Sequence, residues 1–320
     1  MFEAENFAVA DGINYEYVYI KASDNSKATF LFLHGFPSSY YCWRNQIEYF
    51  SKQGYGCLAP NLMGYGKTYS PLDDDQYRTK SMIDHLLALM DHLNLNKVIV
   101  VGHDWGVRPA TRFILHHPER ALGLILFNVG YRPPAQLNLE QAIENTKKAF
   151  GYATMGYWEF FNADDAAQII ETNANRFLDL CFTDEPEIWK TDFSPVGAAR
   201  QWVTSTEKTT GRASFITDRD FGVYREYASK NMQPKLNWYR SAIKNIDWND
   251  EKDLDPTLKC PVLFIAGHRD YVCVPQLFAG QKKDIPDFES VALDTSHWTM
   301  EEKPDEVNKV VENWVEKKHL

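Results

Sequence analysis

Four β-branched residues in succession, Val98-Ile99-Val100-Val101, read as a strand buried on both faces, the pattern of a parallel sheet. Buried runs of the same kind occur at Ala28 to Leu33, Tyr55 to Ala59, Leu122 to Phe127 and Pro261 to Ala266, with a further strand at Phe288 to Leu293. Tyr15 to Ile20 alternates and reads as an early strand. Apolar residues at 82, 83, 86, 87, 90 and 93 make a helical stripe over about Thr79 to Leu93. A helix-like stretch reaches about His117, before Pro118, and Asp305 to Lys317 closes the chain with Val307, Val310, Val311, Trp314 and Val315 on one side. Alternating strands and helices predict an α/β fold, a mostly parallel sheet covered by helices.

From about Gly130 the pattern changes. Pro133-Pro134 breaks it, and the text up to about Asp255 is helix-like with no strong strand. The predicted organisation is a core over 1–130 and 256–320, interrupted by a helical lid over 131–255. A chain of 320 residues suits one core domain with an insertion. The net charge of -10 argues against a general nucleic-acid or anionic-membrane binder. No run approaches the ~20 apolar residues of a membrane span. The acidic N-terminal stretch lacks a signal core. Five cysteines, odd in number and without paired metal spacing, point to reduced thiols and a cytoplasmic setting. The terminal Lys318-His319-Leu320 lacks the small residue of a peroxisomal tail. No His-Glu-x-x-His or other ligand cluster is visible, so neither a metal nor a cofactor is expected.

The Val98 strand runs into Gly102-His103-Asp104-Trp105-Gly106 and then into a helix. Strand, glycine, nucleophile, glycine, helix is the layout of a nucleophile elbow, with Asp104 where Ser is usual. An acid and a histidine follow in the expected chain order: Asp270 and His297, each just beyond a predicted strand. His34-Gly35-Phe36-Pro37 ends the second core strand and leads the elbow. The N–H groups of Phe36 and Trp105 are therefore the candidate oxyanion donors. His34, Pro37, Trp105 and Trp298 are the candidate substrate contacts.

A carboxylate nucleophile attacks an sp3 carbon and forms an ester, which activated water then hydrolyses. Two leaving groups suit that chemistry, a halide or the oxygen of an epoxide. Halide needs N–H donors such as Trp; an epoxide oxygen needs a proton donor, which a lid tyrosine can be. Tyr157, in Gly156-Tyr157-Trp158, and Tyr239, in Asn237-Trp238-Tyr239-Arg240, are the candidates.

These motifs, with Gly267-x-x-Asp270, His297-Trp298, Asp247-Trp248 and Met300-Glu301, resemble the soluble epoxide hydrolases of the α/β-hydrolase fold. The similarity runs from about residue 10 to 315. It departs at Ser296, where that family often has Gly. The resemblance implies Asp104 as nucleophile, His297 and Asp270 as the water-activating pair, and Tyr239 and Tyr157 as acids, with Tyr152 in reserve for the latter. It implies an epoxide and water as substrates and a monomer or homodimer. Haloalkane dehalogenases share the elbow, and low-turnover ligand-binding relatives share the fold; both stand as alternatives.

Overall fold

The computed structural model describes residues 2–320. Eight strands form one sheet: β1 (Glu5–Ala10), β2 (Ile13–Ile20), β3 (Thr29–Leu33), β4 (Gly56–Pro60), β5 (Val98–His103), β6 (Ala121–Phe127), β7 (Val262–Gly267) and β8 (Phe288–Leu293). Their spatial order is β1-β2-β4-β3-β5-β6-β7-β8. β2 runs antiparallel to β1 and β4, and all other pairs are parallel. β3, β5 and β7 are buried along their whole length, as their unbroken apolar text requires. β1 was not expected. It is an edge strand with four exposed residues, so no apolar run announces it.

The crossover that places β3 between β4 and β5 brings distant sequence together. Leu33 pairs with Gly102, His103 with Phe127, and Gly267 with Leu293. The loops after β3, β5, β6, β7 and β8 therefore open side by side at the carboxyl edge of the sheet. That edge is where open parallel sheets carry their ligands.

Three helices belong to the first part of the core, α1 (Arg44–Lys52), α2 (Thr79–His92) and α3 (Val107–His116). The stripe on α2 faces inward as predicted at Met82, Ile83, Leu86 and Met90. Between β6 and β7 lies an inserted helical cap. It comprises α4 (Leu139–Phe150), α5 (Tyr157–Asn162), α6 (Ala166–Thr172), α7 (Ala174–Cys181), α8 (Ala198–Thr204), α9 (Asp218–Ala228), α10 (Met232–Ile243) and α11 (Trp248–Glu251). α12 (Thr299–Glu302) and α13 (Pro304–Lys318) finish the core.

Polar side chains start and hold the cap helices. Asn138 caps α4 by accepting from the Gln141 N–H, and Thr217 with Asp220 forms a capping box on α9. α10 is pinned to the core. Asn237 donates to the Leu72 carbonyl at 3.0 Å, and the Trp238 indole donates to Met63 at 2.9 Å. At the cap's return, Asp247 accepts from the Thr79 N–H at 2.8 Å and pairs with Arg108 at 2.6 Å.

Candidate active site

The elbow after β5 carries Asp104 at φ 50°, a left-handed backbone that costs a non-glycine residue roughly 1–3 kcal/mol. The strain is sustained because the neighbours leave no other path. A side chain at Gly106 would place its Cβ 2.1 Å from the Leu33 carbonyl oxygen. One at Gly35 would fall 2.4 Å from Asp104 Cβ. Both positions thus require glycine, and both bring the Asp104 carboxylate against the loop after β3. There the Phe36 N–H donates to Asp104 Oδ1 at 2.8 Å. Among the described residues it is the only backbone amide bonded to that carboxylate; the Trp105 amide, the other expected donor, is not. The remaining oxygen, Oδ2, lies 3.6 Å from His297 Nε2.

His297 stands on the loop after β8, with Nδ1 2.7 Å from Asp270 Oδ2. Asp270 also accepts from the Val272 and Cys273 amides at 3.0 and 2.8 Å and from Asn128 Nδ2 at 3.0 Å. Burial alone would raise both carboxyls; His297 and these N–H donors outweigh it and hold Asp104 and Asp270 below the usual carboxylate range. Burial opposes charge on His297 too. The two carboxylates overcome it and hold the imidazole well above its ordinary pKa, so it rests as imidazolium.

Two residues of this arrangement were not anticipated. Asn128 follows β6 with φ 62°, is fully buried, and donates to both Asp270 Oδ2 and the Ser296 carbonyl. Its only sequence signal is its place at the carboxyl end of a buried strand. His103 sits behind the triad with its Nε2 2.9 Å from the His297 carbonyl. A carbonyl only accepts, so that nitrogen carries the proton. Burial pushes His103 down to about 3, which keeps it neutral.

Above the elbow sit the two cap tyrosines. Tyr157 opens α5 and Tyr239 lies on α10; both are buried, with ring centroids 6.0 Å apart and nearly perpendicular. Tyr239 packs on Trp105 at 4.8 Å, Phe161 at 5.0 Å and Phe36 at 5.3 Å. Burial first, then the negative field that includes Asp104, raises both phenols and keeps them protonated. Tyr152 differs. Its hydroxyl is occupied, donating to the Tyr271 carbonyl at 2.8 Å. Trp158 lies 5.1 Å from Tyr239 and 5.3 Å from Trp105, and its buried indole N–H has no partner among the described residues.

Two expected substrate contacts turn out to be supports. His34 is fully buried; it accepts from the Leu62 N–H at 2.9 Å, so its other nitrogen donates to the Gly35 carbonyl at 3.0 Å. Neither nitrogen is left for a ligand, and burial drives its pKa down to about 4. Trp298 donates to the Cys181 carbonyl and lays its ring 5.1 Å from that of His297. It holds the imidazole and joins core to cap. Pro37, in a cis peptide bond with Phe36, is buried in the oxyanion loop. Cys273 lies beside Asp270 and His297, its thiol pushed up to about 12 by burial.

A sequence profile described as the alpha/beta hydrolase fold matches residues 28–304. The chain belongs to the α/β hydrolase fold family. Among curated relatives of this α/β hydrolase, epoxide hydrolase 3 of Siraitia grosvenorii is 29% identical over 316 residues, covering 92% of this chain and 94% of the relative. Bifunctional epoxide hydrolase 2 of Mus musculus is 26% identical over 289 residues, covering 88% of this chain. The chain spans about half the length of that relative and of the other mammalian relatives it matches. Epoxide hydrolase A from Mycobacterium thermoresistibile superposes with a TM-score of 0.82 at 22% identity, over 99% of this chain and 98% of that one. An epoxide hydrolase from Vigna radiata gives 0.79 at 24% identity, over 98% of each chain. These superpositions extend the shared fold through the cap.

Proposed function

We propose that this α/β hydrolase converts an epoxide to a vicinal diol through an alkyl ester on Asp104. One observation supports the reading: two buried tyrosines, Tyr157 and Tyr239, pack against each other and, through Tyr239, on Trp105 beside Asp104, whose carboxylate already accepts the Phe36 N–H. Asp104 Oδ1 is held by Phe36, which leaves Oδ2 to attack an epoxide carbon. As the C–O bond breaks, Tyr157 or Tyr239 gives its proton to the departing oxygen, a far stronger base than a phenolate. The product is a hydroxyalkyl ester.

Esterification removes the Asp104 charge, one of the influences holding His297 protonated. The imidazole then passes its proton to the tyrosinate left by ring opening and becomes a base. It takes a proton from water through Nε2 while Asp270 orients Nδ1. Hydroxide attacks Asp104 Cγ, and negative charge develops on Oδ1, already 2.8 Å from the Phe36 N–H. The ester C–O bond breaks, the diol leaves with a proton from His297, and the Asp104 carboxyl then gives its proton to His297, restoring the carboxylate and the imidazolium.

A single turnover in H2-18-O tests this. The first diol should carry no label, because its new oxygen comes from Asp104 and the labelled oxygen enters the enzyme. Label in the first-turnover diol would mean direct attack by water. A second reading, hydrolysis of haloalkanes on the same nucleophile, is favoured by the unpartnered indole N–H of Trp158 beside Trp105. Bromide release from 1-bromobutane, without diol from styrene oxide, would select it.

A further inference from the structure

The proposed mechanism leaves the thiol of Cys273, beside His297 and Asp270, without a task. We propose that Cys273, His297 and Asp270 form a site for a thiophilic divalent cation, Cd2+ or Zn2+, and that its occupation stops ester hydrolysis. The metal site rests on geometry alone; the inhibition rests on the hydrolase reading above.

A sulfur, an imidazole nitrogen and a carboxylate oxygen from these residues lie within 4.8 Å of one another. Bond lengths of about 2.3 Å to sulfur and about 2.0–2.2 Å to nitrogen and oxygen put tetrahedral ligands roughly 3.3–3.6 Å apart. The three groups are thus within about 1.5 Å of that spacing. The backbone fixes part of the geometry, since the Cys273 N–H is bonded to Asp270 Oδ1 and holds the thiol and the carboxylate on one turn. The donor set selects the metal. Thiolate with imidazole suits Zn2+ and its softer congener Cd2+, whereas Mg2+ and Ca2+ take oxygen ligands. Residue burial also distinguishes this cysteine. Cys42, Cys57, Cys181 and Cys260 are buried, and Cys273 alone is partly exposed.

Binding displaces two protons to solvent, one from the thiol and one from the imidazolium. The cation's two charges are then balanced by the Cys273 thiolate and the Asp270 carboxylate. If the metal takes His297 Nδ1, the remaining proton stays on Nε2 and the base has no free lone pair. If it takes Nε2, the base atom itself is covered. Either way the ester outlives the block.

The test is a Cd2+ titration of the intact protein, followed by the ultraviolet thiolate-to-cadmium absorption and by equilibrium dialysis. The wild type should take one Cd2+ per chain and develop the band. Cys273→Ser should lose the band and bind about tenfold more weakly or worse, while Cys181→Ser should match the wild type. Cys273→Ala serves as a second variant, and near-ultraviolet circular dichroism checks the fold of each. Diol formation, measured against each variant's own metal-free rate, should be blocked by Cd2+ in the wild type and restored by a chelator. Both Cys273 variants should need about tenfold more Cd2+ or above for the same block. Unchanged Cd2+ affinity in the Cys273 variants, or no uptake by the wild type, overturns the site. Uptake at Cys273 without any diol activity overturns the hydrolase reading and leaves the site standing.

Discussion

Asp104 and His297 have separable tasks, and mutation should separate them. Asp104→Asn should abolish steady diol formation, because a neutral amide cannot displace the epoxide oxygen; full activity in Asp104→Ala would refute a nucleophilic role. His297→Gln should stop after one turnover, with covalent ester accumulating on Asp104 by mass spectrometry. Tyr239→Phe removes one of two acids and should slow ring opening, by an amount in the range of roughly 100–10,000-fold for general acid catalysis, less whatever Tyr157 retains. Undiminished ester formation in that variant would remove Tyr239 from the acid role. The pH dependence has a definite sign. Asp104 is held below the usual carboxylate range, so ester formation should persist in moderate acid. Hydrolysis needs neutral His297, so it should fail first as pH drops. Quenched-flow at acidic pH should therefore find ester accumulating; a parallel decline of both steps would contradict the assignment.

At the scale of elements, the strands, the elbow and the order Asp104, Asp270, His297 were legible because each rests on local pattern: an unbroken apolar run, then a turn residue at its carboxyl end. What was not legible depends on the third dimension. Asn128 is an ordinary residue in the text; only the register of β6 against β5 and β7 places its amide on Asp270. His34 sits in a motif that suggests a ligand contact, yet both its nitrogens are tied to main chain. Asp247 was noticed as part of a motif without a task, and the structure gives it one. It caps α2 and pairs with Arg108, so it fastens the cap's last turn to the core. Asp247→Ala would remove the ion pair of Arg108, leaving it the Thr79 hydroxyl, and would uncap the α2 N-terminus. Breaking a fully buried pair typically costs about 3–5 kcal/mol; Arg108 is partly exposed, so the loss should be smaller, about 1–3 kcal/mol. We expect a corresponding loss in urea-unfolding free energy, and an unchanged midpoint would show the tie to be idle.

Across the whole molecule, cap and core are joined on the other side as well. Arg44 of the core pairs with Glu301 at 2.5 Å and with cap residue Asp220 at 3.1 Å; cap Tyr224 donates to Glu301 at 2.6 Å. Stability should depend on pH through buried neutral histidines. His34 is lowered from 6.5 to about 4 and His103 to about 3, so the unfolded chain gains protons that the native chain refuses. Stability therefore falls as pH drops from 6.5 toward 4, by at most about 1.4 kcal/mol per unit for each histidine. His297, whose pKa is raised, adds nothing to that slope, being charged in both states; its contribution is lost instead as pH rises above 6.5. A thermal midpoint that stayed level from pH 6.5 to 4 would contradict the neutral, buried placement of His34 and His103.

An imidazolium pinned between two carboxylates also constrains how charge circulates through the catalytic cycle. At rest Asp104, His297 and Asp270 together carry one negative charge. Ring opening neutralises Asp104 and leaves a tyrosinate, so the pocket still carries one. Passage of the His297 proton to that tyrosinate leaves Asp270 as the bearer of the same single charge, and ester cleavage, with Asp104 ionising to His297, restores the resting set at the same net charge. Hydrogen ions are thus recycled within the pocket, and none need be imported across the closed aromatic wall. A chamber run this way should turn over at a rate indifferent to buffer concentration.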